Sequence, residues 1–221
     1  MAELLTLGVS ADPAPPCPAA QVSIPDTSAP GLVGRLIEDG MVTEAVVFSA
    51  GHLTELYLVA EDALAAEASA LAELASWTGL DPSLVAGSAY ALEDDSAASH
   101  LFRIAAGVGC PAPGAPPVRE PIERAHRIAR DAGSVGPVLD RLFGEASEMA
   151  ARVPSGAKAT DRPGPVDELE VRRWERRVAE EVERFAAWRS QTLDGELSGE
   201  ADPDRARGAT VSRLPRPNDA A

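Results

Sequence analysis

Within nine residues, Ser49-Ala-Gly-His-Leu-Thr-Glu-Leu-Tyr57, the chain sets hydroxyl, imidazole, carboxylate and phenol groups close together. The flanking runs Ala45-Val-Val-Phe-Ser49 and Glu55-Leu-Tyr-Leu-Val59 are rich in β-branched, aromatic and aliphatic residues, so the segment reads as a hairpin with a glycine-assisted turn. A turn at the end of a sheet presents side chains to a cleft while the strands hold them still, the placement a nucleophile needs. Gly51 has no side chain and cannot be that nucleophile. Two groups elsewhere have the chemistry to act. His100, set against a carboxylate, would serve as an acid or base near neutral pH if the fold brings it to the turn. The thiol of Cys110 would capture an acyl group and pass it to water or an amine, although no activating base for it is evident in the sequence.

The elements that must position these groups follow from periodicity. Leu4 to Val9 reads as a first strand, followed by a proline-rich loop from Asp12 to Pro18. Leu32, Val33, Leu36 and Ile37 give the stretch from Pro30 to Gly40 helical spacing. Glu61 to Thr78 is alanine-rich with Leu64, Leu71 and Leu74 on one face, and Gly79 is placed to stop it. Ser88 to Leu92 supplies another strand. Helices are expected over Ser96–Ala106, Val118–Ala132 and Ser134–Val153, with the proline-rich segment Cys110–Pro117 between the first two as a loop or extended cover. The expected architecture is α/β (α+β): a small sheet with several packed helices over residues 1–153. Residues 154–165 have a linker's composition, and residues 166–193 form a separate long helix. On that helix Val171, Trp174, Val178, Val182, Phe185 and Trp188 recur at steps of three or four. A lone helix cannot bury two tryptophans and a phenylalanine in water, so the stripe docks on the domain or on a copy of itself; a homodimer is the expectation. Residues 194–221 mix charge, glycine and proline without periodicity and read as disordered.

Composition narrows the function classes. The chain has 221 residues, 45% of them hydrophobic but only 4% aromatic, so the core must be mostly aliphatic. A formal charge of −15 argues against general affinity for nucleic acid. Arg119, Arg124, Arg127 and Arg130 make a partial basic stripe that Glu120, Glu123 and Asp131 dilute, as on an ordinary solvated helix face. No apolar run is long enough to span a bilayer and the start lacks the pattern of an export signal, so a cytoplasmic protein is expected. With two cysteines, Cys17 and Cys110, a structural disulfide is not expected. His52, His100 and His126 are scattered, and no metal site is expected.

The ordered segments resemble the glutamyl-tRNA reductase family, the first enzyme of the five-carbon route to tetrapyrroles. Leu7-Gly-Val9 and Ala14-Pro15 look like the family's opening strand and the end of its first loop. Ser49 to Tyr57 is similar to its Ser-Thr-Cys-Asn-Arg-Thr-Glu-(Leu/Val)-Tyr turn, and His100-Leu-Phe-Arg-Ile-Ala-Ala-Gly107 to its His-Leu-Phe-Arg-Val-Ala-Ser-Gly helix end. Gly133 through Phe143 matches the helix that follows, and Val166 to Gln191 resembles the start of the family's dimerising spine helix. In the family the turn cysteine attacks the ester of glutamyl-tRNA, and hydride from NADPH reduces the resulting thioester. Here Gly51 stands at that cysteine, Ala50 at the threonine, His52 at the asparagine and Leu53 at the arginine. The first loop's His-(Arg/Lys)-Thr reads Ala11-Asp12-Pro13, and the later Gly-Glu-x-Gln reads Gly114-Ala-Pro-Pro117.

The resemblance therefore implies a truncated, degenerate relative, a pseudoenzyme whose 12-residue linker leaves no room for the NADPH domain between catalytic part and spine. What it leaves for substrate contacts is Ser49, Thr54, Glu55 and Arg103, or else Glu55 and Arg103 simply pair with each other and His100 is a helix-surface or satisfied buried group. Partners implied are a protein, a tetrapyrrole or an aminoacyl-tRNA acceptor end. Cys17-Pro18 and Cys110-Pro111 raise the further expectation of haem held through thiolates, with no other cofactor. The alternative is an aminoacyl-tRNA-dependent transferase or hydrolase with a relocated nucleophile, Cys110 or His100, and no NADPH.

Overall fold

The structure, a computed structural model, describes residues 2–10, 24–50, 53–108, 118–153 and 168–197. Four strands, β1 (Glu3–Ser10), β2 (Val42–Ala50), β3 (Leu53–Ala60) and β4 (Ala89–Glu93), form one antiparallel sheet in the order β2-β3-β1-β4. Successive side chains of a strand point to opposite faces, and both faces here are covered. On one side Leu5, Leu7, Leu56 and Leu58 meet α1 (Ala29–Glu38), α2 (Ala63–Thr78) and α3 (Pro82–Ser88). On the other, Leu4, Val46, Phe48, Tyr57 and Val59 meet α4 (Asp94–Ala105), α5 (Arg119–Asp131), α6 (Pro137–Arg152) and α7 (Glu168–Leu197). Two buried faces explain why the strands read as nearly continuous apolar runs.

Local chemistry sets the element ends. The Asp62 side chain accepts from the Ala65 amide at 3.1 Å to open α2, and Gly79, at φ 66°, closes it. Strand β2 lies at the sheet edge, where the turn after α5 covers it. Ala45 N donates to the Ser134 carbonyl at 2.8 Å and Ser134 Oγ donates to the Ala45 carbonyl at 2.8 Å. At the start of α6 the free amides of Val138 and Leu139 donate to the two oxygens of Glu44, at 3.1 and 2.7 Å. Glu44 is buried on β2, so a carboxylate from the sheet caps a helix end. Gly136 permits that approach, because a Cβ there would come within 2.5 Å of Glu44 Oε1.

Several boundaries differ from the sequence reading. The helix α3 was not expected, and α4 begins at Asp94, two residues before Ser96. The last helix runs to Leu197, a turn into the segment expected to be disordered; residues 154–165 and 198–221 lie outside the described residues. The stripe on α7 is covered within the chain: Trp174, Val178 and Phe185 are buried in the same cluster as α4 and α6, and Phe185 meets Phe102 edge-on at 6.3 Å. Val182 and Trp188 are partly buried against that cluster, Arg141 lies 4.6 Å over the Trp188 ring, and Val171 is half-buried. Each large apolar side chain so covered is worth about 1.5–3 kcal/mol. A dimer through these residues would require α7 to leave this seat.

Candidate functional site

The sheet register brings four residues into one row on the α4 face: Phe48 pairs with Glu55, Glu55 with Gly8, and Gly8 with Tyr90. Gly8 has to lack a side chain, since a Cβ there would stand 2.1 Å from the Tyr90 ring. The ring crosses over Gly8, and its hydroxyl donates to Glu55 Oε1. From α4, His100 places Nε2 2.5 Å from the same oxygen. Tyr57, two residues along β3, donates to Glu55 Oε2 at 2.7 Å. The Tyr90 hydroxyl and His100 Nε2 are themselves 3.4 Å apart.

Glu55 is fully buried, and a carboxylate there survives only if its oxygens are bonded. Burial, and then the Glu55 charge, raise the Tyr57 phenol well above its ordinary range. The same causes in the same order raise Tyr90. Both phenols therefore remain protonated donors across the physiological range. A carboxylate oxygen accepts, so the neutral imidazole that bonds it through Nε2 is the tautomer with its proton on that nitrogen. The other ring nitrogen, Nδ1, has no hydrogen-bond partner among the described residues. The arrangement is an imidazole backed by a buried acid, with its tautomer set from behind.

The His100 side chain, 26% exposed, opens into a cleft of about 640 Å³ between α4 and α7. Leu92, Ser96, Arg103, Val178, Val182 and Glu183 are among its walls. This is where the expected acid–base residue and a cavity meet.

The remaining expected site residues are placed differently. Ser49 Oγ and Thr54 Oγ1 lie 3.2 Å apart at the turn end of the hairpin, with Thr54 buried. They join the two strands beside the turn. The expected pairing of Glu55 with Arg103 does not occur: Arg103 reaches Glu175 of α7 at 3.7 Å, while Glu55 is enclosed by tyrosines and His100. Arg103 lies about one turn beyond His100 on α4, toward α7 rather than the sheet. Gly51, His52, Cys17 and Cys110, and with them the haem expectation, lie outside the described residues. Three of the four arginines of the basic stripe on α5 are paired: Arg119 with Glu123 at 2.8 Å, Arg124 with Asp26 at 3.1 Å and Arg130 with Asp140 at 2.6 Å. Sequence reasoning missed Tyr90. Its signal was an aromatic in a short strand, two strands from Glu55 and facing the glycine that pairs with Glu55, visible only once the register is known. Among the described residues, no three His, Cys, Asp or Glu side chains converge to hold a metal, and no helix is long and apolar enough to cross a membrane.

Comparison with known proteins accords with this geometry. Residues 7–156 match the family described as glutamyl-tRNAGlu reductase, N-terminal domain. The glutamyl-tRNA reductase of Rhodospirillum rubrum is 31% identical over 157 residues, 71% of this chain and 36% of that protein. That of Stenotrophomonas maltophilia is 30% identical over 169 residues, 76% of this chain and 38% of its own length. The chain thus spans little more than a third of the length of either relative. Among solved structures, the glutamyl-tRNA reductase of Methanopyrus kandleri superposes with a TM-score of 0.51 at 18% identity, covering 67% of this chain and 33% of that one, a likeness of fold. By the family match over residues 7–156 and by relatives 30–31% identical over more than two thirds of its length, the chain belongs to the glutamyl-tRNA reductase family.

Proposed function

We propose that this protein is a reductase-like module without reductase chemistry, one that binds the acceptor end of an aminoacyl-tRNA or a protein partner linked to tetrapyrrole formation. The observation that carries this reading is a mismatch within one hairpin. The strands on either side of the turn keep Ser49, Thr54, Glu55 and Tyr57, with Glu55 enclosed by its donors. The turn itself holds Gly51 where the resemblance calls for a thiol. Proton-handling groups without a nucleophile can orient and bind a carbonyl compound, but they cannot form the thioester that the resemblance implies. Only 15 residues separate α6 from α7, too few for a nucleotide-binding domain at that place in the chain.

Self-association fits the same reading if α7 exchanges its seat on α4 for the same seat on a second copy, which buries the same side chains. Sedimentation of the full chain tests this, a dimer supporting the exchange and a monomer removing it.

The principal test incubates the full chain with glutamyl-tRNA and NADPH. The expected result is retention of the tRNA without formation of an aldehyde and without faster loss of the ester. Faster deacylation, or a covalent adduct abolished by Cys110→Ala, would replace this reading with the transferase or hydrolase.

A further inference from the structure

We infer that the cleft between α4 and α7 is a binding site for a small molecule carrying an ammonium group on a short aliphatic stem, with α4 supplying His100 and α7 the opposite wall. The inference goes beyond the function proposed above and holds whether or not charged tRNA is bound.

The seat of α7 is specified by the sequence. Asp94, the first residue of α4, sits at φ 49° in the left-handed region, where a non-glycine residue is held only by its surroundings. Its carboxylate takes the Leu4 amide at 3.1 Å and the guanidinium of Arg189 from α7. Arg189 is only 13% exposed. With Trp174, Val178 and Phe185 buried along the same helix, α7 is held both by an ion pair near one end and by apolar packing along its length.

Between these walls lies a solvent-open cleft of about 640 Å³, within the size range of small-molecule sites. Leu92, Val178 and Val182 give it an apolar floor suited to a short aliphatic stem. Its charged lining is Asp95, Glu175, Glu183, Arg103 and His100. Arg103 is matched by Glu175 at 3.7 Å, and any positive charge on His100 is matched by the buried Glu55 behind it. Asp95 and Glu183 remain, one on each wall, and neither has an ion-pair partner among the described residues. In the neutral tautomer that donates through Nε2 to Glu55, His100 Nδ1 adds an acceptor. Two unmatched carboxylates and one acceptor over an apolar floor complement an ammonium donor and repel a carboxylate of the same length.

The test uses the full chain at about 0.15 M salt, where interactions between distant exposed charges are screened. It follows the His100 ring resonances, assigned with His100→Gln, during titration with n-butylammonium, n-butanol and butyrate. The expected result is a saturable shift with n-butylammonium alone. The double variant Asp95→Asn, Glu183→Gln should weaken that binding about tenfold, the scale of two partly exposed charge contacts. Glu61→Gln, an exposed acid outside the cleft, should leave it unchanged. A shift with butyrate equal to that with the amine would overturn the inference. So would the absence of saturation, or equal weakening by Glu61→Gln. Because glutamyl-tRNA takes no part in the titration, either reading can fail while the other stands.

Discussion

Glu44 and Glu55 are both buried carboxylates on neighbouring strands of one sheet, yet their partners differ in kind. Glu44 faces the backbone amides of Val138 and Leu139 at the start of α6. Glu55 faces the hydroxyls of Tyr57 and Tyr90 and the imidazole of His100. An amide N–H only donates, whereas a hydroxyl donates or accepts and an imidazole changes tautomer. The first carboxylate is therefore tied to the fold, and the second belongs to a network that can rearrange its protons. A buried acid in a protein is no sign of a site by itself; what its partners can do with a proton distinguishes the two roles.

Replacing each acid by its amide should separate the roles. Glu44→Gln sets an NH₂ group against an amide N–H and removes the negative charge from a helix N-terminus. Denaturant unfolding should show a loss of about 2–3 kcal/mol. A loss below about 0.5 kcal/mol would mean that Glu44 does not secure α6. Gly8→Ala should cost about 1–3 kcal/mol through overpacking, because the new methyl group meets the Tyr90 ring. It should also change the His100 ring nitrogen shifts as Tyr90 leaves Glu55. Unaltered shifts would separate Tyr90 from the network.

Glu55→Gln should cost only about 1 kcal/mol, because the amide oxygen can face Tyr90 and His100 while its NH₂ donates to the Tyr57 hydroxyl. The smallest effect belongs to a third carboxylate, the partly exposed Asp140. The Arg130 bond first, and His126 after it, hold the Asp140 carboxyl below its usual range. Since its folded value lies below the unfolded one, its stabilisation is present above the unfolded value of about 3.9 and is lost as pH falls through the folded one. Asp140→Asn should cost about 0.2–1 kcal/mol at neutral pH, discounted for exposure, with the gap to the parent closing in acid. A gap that widened in acid would reverse the sign of this assignment.

Much of the fold was legible because its signals are local. The apolar runs marked β1, β2 and β3, and Leu71 and Leu74 followed by Gly79 marked α2 and its end, although Leu64, read on the same face, is exposed to solvent. The short helix α3 had a signal too, Asp81 before Pro82, but its seven residues are too few to establish a period. The site was only half legible. Glu55 and His100 stood out through the resemblance, but the Glu55–Gly8–Tyr90 row depends on a register joining residues far apart in sequence. Arg103 was assigned to the wrong glutamate because the reading lacked α7 as a neighbour. The stripe on α7 likewise announced an apolar face without saying which surface would cover it.

The most direct test of the division between the two acids is to measure glutamyl-tRNA binding and unfolding free energy together for Glu44→Gln and Glu55→Gln in the full chain. The expected result is that Glu44→Gln loses stability but binds normally per folded molecule, while Glu55→Gln stays folded and binds weakly. Equal losses of stability with unchanged binding by Glu55→Gln would contradict the account.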